Sequence, residues 1–211
     1  MGVGSGSEAR GEFDLSNPVN SFLEVVRQVV LQPVRFFAGL PRSGTLPNPL
    51  LFALICIVIS AILSAVLVLA GVQQNPGFNP NPQNALPSVF TPGSAWASII
   101  LAPIGGAIGL FVVAAIQQLL VRLIVGANNS GFGATFRVAS YTQVTSLVNW
   151  IPIVGPLVAL YGLYLSIVGI RETHQTTTGK AALVILIPFA VVLLVTLVVL
   201  LAVGIAFFTQ R

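Results

Sequence analysis

From Leu50 to Ala70 the chain passes through 21 residues without a charge, and after Lys180 it meets no charged side chain until Arg211. At about 1.5 Å of rise per helical residue, a run of that length crosses a hydrocarbon layer of about 30 Å. Composition agrees: 55% of the residues are hydrophobic and 7% charged, against roughly a quarter charged in ordinary soluble domains. The chain therefore reads as an integral membrane protein. Its net charge of +4 comes from nine basic residues scattered between apolar runs, which build no phosphate-tracking stripe and imply no nucleic-acid partner.

The runs divide the chain. Residues 1–17 are rich in Gly and Ser, carry three of the five acidic residues, and are expected to stay an unpacked tail. The first long apolar run starts near Leu50, too late for a cleavable leader. Residues 18–46 form an amphipathic region. Phe22, Val25, Val26, Val29 and Val30 share one helical face, with Glu24, Arg27 and Gln28 opposite. Such a helix is too short and too charged to span. It suits the membrane interface, with Arg27, Arg35 and Arg42 near anionic headgroups, or it packs across the cytoplasmic ends of the spans. Pro33 is expected to break it.

Residues 47–211 carry five expected spans, at about 50–71, 95–125, 134–150, 155–170 and 180–208. Bends are expected at Pro103 and Pro188, and Gly105 with Gly109 offers a close approach between helices. The fold expected is all-α, a bundle of five transmembrane helices preceded by an amphipathic interfacial helix. Cys56 is the only cysteine, so no intramolecular disulfide or multi-thiolate metal site can form.

The third and fourth spans, joined through Trp150–Pro156, hold most of what apolar composition leaves unexplained. Thr135, Thr142, Thr145, Ser146 and Asn149 fall on one helical face with Tyr141 at its edge. Hydroxyls and amides in hydrocarbon need partners, so this face must turn to other helices or to a water-filled cleft. In the fourth span Gly155, Ala159, Gly162, Ser166 and Gly169 make a seam of small residues that lets a neighbouring backbone approach. Gln117 and Gln118, near the end of the second span, need partners or headgroups for the same reason.

Charge sets the orientation. With five spans, Arg10, Arg27, Arg35, Arg42, Arg122, Arg137, Arg171 and Lys180 lie on one side and Arg211 on the other. The positive-inside rule then puts the amino-terminus in the cytoplasm and the carboxy-terminus outside a cell membrane. Arg137, Arg171, Glu172, His174 and Lys180 gather at the cytoplasmic face and form the candidate interaction site. A single histidine, with Glu172 the only carboxylate after Glu24, makes no metal site, and no nucleophile has an orienting partner. No cofactor and no enzymatic activity are expected.

Four short stretches, in order, resemble the Yip (Ypt-interacting protein) domain family: Tyr141-Thr142-Gln143-Val144, Asn149-Trp150-Ile151-Pro152-Ile153-Val154-Gly155, Gly169-Ile170-Arg171-Glu172-Thr173-His174 and Gly179-Lys180-Ala181-Ala182. The resemblance covers roughly residues 18–205. It implies five spans with a cytoplasmic amino-terminus and, in eukaryotic members, association with Rab GTPases and vesicle traffic. The Asp-Leu-Tyr-Gly-Pro-type motif of eukaryotic members is absent before the first span, where only Leu31-Gln32-Pro33-Val34-Arg35-Phe36-Phe37 stands near its place, so the chain looks more like the prokaryotic branch. Two functions follow as expectations. One is a non-enzymatic protein that organises membrane or recruits a membrane or cytoplasmic partner through its cytoplasmic face. The alternative is a small transporter, channel or lipid-handling protein using a polar cleft beside the third span, with homo-oligomerisation to complete it.

Overall fold

The structure is a computed structural model and describes residues 12–41, 44–70, 92–151 and 154–209. These form α1 (Pro18–Leu31), α2 (Pro33–Gly39), α3 (Pro47–Leu69), α4 (Pro92–Ile124), α5 (Phe132–Thr142), one 3₁₀ turn (Gln143–Thr145), α6 (Ser146–Asn149), α7 (Gly155–Thr173) and α8 (Thr178–Thr209), with no strand among the described residues. Proline opens α1, α2, α3 and α4 and sits in the first turn of α7. A missing N–H costs nothing there, and the fixed φ is already helical.

Three helices are long and apolar enough to cross a membrane, over Pro47–Leu67, Leu101–Ile124 and Thr178–Leu201. α4 and α8 run through Pro103 and Pro188 as single helices. The stretch expected as a third span is interrupted, and its own hydroxyls account for the change of winding. Thr142 donates to the Val138 carbonyl at 2.7 Å, Thr145 to Thr142 at 2.9 Å and Ser146 to Gln143 at 2.7 Å. Side chains that bond back to carbonyls three or four residues earlier compete with the helical ladder and bend it. The turn residues Pro152 and Ile153 lie outside the described residues, as do residues 1–11 of the tail, the 71–91 connection and Arg42.

α5 and α7 meet along the seam of small residues. A Cβ at Gly169 would stand 2.5 Å from Val138 Cγ1 and 3.3 Å from Phe37 Cε1, one at Gly155 would stand 2.8 Å from the Asn149 carbonyl oxygen, and one at Gly162 would meet Thr145 at 3.5 Å. Against lipid, close packing of this kind does the work that burying apolar surface does in water. The α3–α4 contact uses a different glycine from the expected pair. Gly105 and Gly109 have open space around them, while a Cβ on Gly106 would stand 2.7 Å from Ile57 Cδ1.

One aromatic cluster joins the amino-terminal segment to the bundle. Phe36 meets Tyr141 edge-on at 5.0 Å between ring centroids, Phe52 lies 5.2 Å from both Tyr141 and Phe22, and Phe13 lies 6.1 Å from Phe52. Phe13 belongs to the stretch expected to stay unpacked, yet it is buried, as are Phe36 and Phe37. α1 likewise turns Val25 and Val29 into this core while Val30 stays partly exposed.

The glycines give a test. Gly169→Ala should destabilise the protein by about 1–2 kcal/mol net of the helix propensity it gains, because Val138 and Phe37 must move. Gly105→Ala should be neutral or stabilising by up to about 1 kcal/mol. Unfolding of both variants in mild detergent measures the difference.

Candidate functional site

The ends of α4 and α7 and the start of α5 converge on His174, the residue that follows α7. Its ring is buried at 3% exposure, beside Gln118 at 5% and Thr135 at 0%. The backbone N–H of Ser130 donates to His174 Nδ1 at 3.1 Å. That bond requires Nδ1 to be an acceptor, so the neutral ring carries its proton on Nε2. Nε2–H then faces Thr135 Oγ1 at 3.0 Å, and Thr135 donates onward to Gln118 Oε1 at 2.5 Å. Gln118 Nε2 donates to Asn129 Oδ1 at 2.9 Å, which also accepts the Gly131 N–H, while Asn129 Nδ2 donates to the Gly126 carbonyl. Ser130 Oγ donates to the Thr173 carbonyl at 2.6 Å, and Thr173 Oγ1 to that of Gly169. The donors and acceptors form one consistent direction around the circuit.

Both ring nitrogens of His174 are occupied, so no free lone pair is left to act as a base. Burial pushes its imidazolium pKa down from 6.5 to about 4.

Arg137 forms a second polar centre one turn into α5, with its guanidinium buried at 1% exposure. Nε donates to Glu12 Oε1 at 2.8 Å, Nη2 to the Thr45 carbonyl at 2.9 Å and Nη1 to the Gly133 carbonyl at 3.2 Å. Gly44 and Gly133 make room, since a Cβ on either would stand 3.1 or 3.3 Å from the guanidinium. A buried charge is tolerable only when paired and hydrogen-bonded. The next residue, Phe13, donates its N–H to the Tyr141 hydroxyl at 3.1 Å. Asp14 then accepts the N–H and the hydroxyl of Ser16, and these bonds hold its carboxyl below the usual range.

The remaining candidates are dispersed. Arg171 pairs with its neighbour Glu172 through Nε at 2.8 Å, both half-buried, and reaches Thr178 at 3.5 Å. Lys180 and Arg122 are exposed at the same end. Thr142, Thr145 and Ser146 are occupied by their own carbonyls, and Asn149 is exposed beside Gly155. Gln117 Oε1 and Ser140 Oγ are buried with no partner among the described residues. Arg137 and His174, expected in one interaction site, are buried in separate networks.

Several members of these networks were not singled out from the sequence. Asn129 and Ser130 sit in a polar turn ending at Gly131, whose φ of +82 suits glycine, and such a turn is where a side chain bonds the backbone two residues on. Glu12 carried no local signal, because its partner is 125 residues away.

A family model, the Yip1 domain, matches residues 27–200. The chain belongs to the Yip1 domain family. No curated protein and no solved structure matches it. The Yip1 match takes in α2 to α7 whole, and with them Arg137 and the entire His174 circuit.

Two expectations follow. A neutral buried histidine stabilises the fold fully above pH 6.5, and because the unfolded chain then binds the extra proton, stability falls as pH drops from 6.5 towards 4. The loss should be on the order of 3 kcal/mol, read as thermal stability in detergent against pH, with nitrogen NMR of the ring reporting the Nε2–H form. Glu12→Ala should cost about 2–4 kcal/mol by leaving the buried guanidinium without its counter-charge, and Glu12→Gln less. Comparing the two variants by unfolding separates charge from hydrogen bonding.

Proposed function

We propose that this Yip1-family protein is a five-span, non-enzymatic protein of the cell membrane that organises membrane or recruits a protein partner through its cytoplasmic face. The reading rests on the family match over residues 27–200 together with the gathering of Arg122, Arg137, Arg171 and Lys180 at one end of the helices. Beside the three long apolar helices, α5–α6 and α7 form the remaining pair of spans in this proposal. The surface offered to a partner is the Arg171–Glu172 pair with Lys180 and Arg122, because these side chains reach solvent while Arg137 and His174 do not.

The alternative, passage of a substrate along the third span, has less to support it. The Thr142, Thr145 and Ser146 hydroxyls already donate to carbonyls of their own segment, so they have no proton left to donate to a permeant solute.

Cys56 is fully buried, which leaves a quiet background for impermeant thiol labelling. An introduced Ser5→Cys should be protected in intact cells and Thr209→Cys labelled; labelling of both or neither would reject five spans. Cross-linking in membranes should give adducts that Arg171→Ala with Lys180→Ala lowers at least several-fold, at unchanged thermal stability. Adducts indifferent to those substitutions, or solute flux from proteoliposomes above that of empty vesicles, would overturn the recruiting role.

A further inference from the structure

α1 is not simply amphipathic. On a 3.6-residue helix its side chains fall into three sectors. Val25 and Val29, with Phe22 beside them, are turned into the aromatic core. Next around the helix, Val19 is 69% exposed, Leu23 60% and Val30 40%. The third sector carries Asn20, Glu24, Arg27 and Gln28, with Gln28 donating to Glu24. Past the break, Val34 is exposed as well, next to the exposed Arg35. One sector is thus taken by protein, one is oily and uncovered, and one is polar.

Three fixed contacts give the path of the pair. Glu12 and Phe13 are tied to Arg137 and Tyr141 at the cation-bearing end. The Tyr161 hydroxyl donates to the Val30 carbonyl at 2.6 Å, where α1 ends. Phe37, on α2, lies against Gly169. α1 therefore runs inward over the 3₁₀ turn that follows α5, and α2 returns along α7. Tyr161 stands ten residues before Arg171, about 15 Å of helix, which is half of a hydrocarbon core of about 30 Å. The helix pair turns back within that half.

We infer that α1 and α2 insert into the cytoplasmic leaflet alone, with Val19, Leu23 and Val30 among its acyl chains and Arg35, on the returning helix, at anionic headgroups, and that the protein thereby favours membranes whose cytoplasmic side is convex. An amphipathic helix set into one leaflet adds area there and none to the other, and its binding is sensitive to curvature and lipid composition. Charge complementarity picks the lipid: the exposed Arg35 follows the oily sector on the returning helix, and snorkelling carries such a long side chain to the headgroups. Because Val25, Val29, Phe36 and Phe37 are fixed in the core, the pair is held in place rather than free to swing. The inference rests on the cytoplasmic placement of the amino-terminus, which the thiol labelling above tests by itself.

The experiment uses the full chain, labelled at Ser5→Cys, in giant vesicles containing phosphatidylglycerol, from which narrow tubes are drawn. Molecules whose label is reached by an external quencher should be enriched in the tube several-fold over a single-span peptide. Val19→Ser with Leu23→Ser should bring that ratio down to the peptide's. Absence of enrichment, or equal enrichment in the variant, would overturn the inference. A second measurement does not depend on how that variant folds. Spin labels at Leu23→Cys and Glu24→Cys should differ, the first more accessible to oxygen and the second to a water-soluble nickel chelate; a Leu23 label reached mainly by the chelate would overturn it equally.

Discussion

The bond from the Ser130 N–H to His174 Nδ1 sets the direction of every other hydrogen bond around it. Once Nδ1 accepts, Nε2 must donate, Thr135 must accept and pass its own proton to Gln118, and Gln118 must present its amide to Asn129. Apolar helices in lipid have no strong preference for one rotation or one register over another, since lipid tails are as apolar as their neighbours. Directional bonds supply that preference. Here they lock α4, the α4–α5 turn, α5 and the end of α7 to one another at a single level.

This arrangement explains what could and could not be read from the chain. The seam of Gly155, Gly162 and Gly169 was legible because spacing alone puts small residues on one side of a helix, and the structure seats Thr145, Val138 and Phe37 against it. Gln118 was legible as a group in need of partners. The partners were less so: Asn129 and Ser130 lie in a turn, where periodicity carries no information. Arg137 was read as part of one interaction site with Arg171, Glu172, His174 and Lys180 because the charge pattern put them at the same end, and nothing local announced a carboxylate from Glu12. Glycine at 105 and 109 has the spacing of a helix contact, but the bundle uses Gly106, since which face of α4 meets Ile57 depends on tertiary packing. The third span looked continuous in hydropathy; its hydroxyl-rich stretch instead bonds back on itself and changes winding at Gln143.

The division between buried and presented polarity bears on the family role. Polar groups that a sequence reader would assign to a passage are spent on their own backbone, and the ionisable groups nearest the core are paired or neutral. What remains available to other molecules is peripheral: cations at one end, oily ridges along α1, α4 and α8.

The hydroxyl of Tyr161 stands where the helical ladder of α1 stops. Pro33 brings no N–H to the Val29 carbonyl, and the Val30 carbonyl beside it is satisfied by a side chain 131 residues later in the chain. Glu12 and Phe13 wait across comparable distances for Arg137 and Tyr141. During synthesis, the earliest of these segments to leave the ribosome is therefore among the last to find its seat, because its partners on α5 and α7 are made more than a hundred residues later.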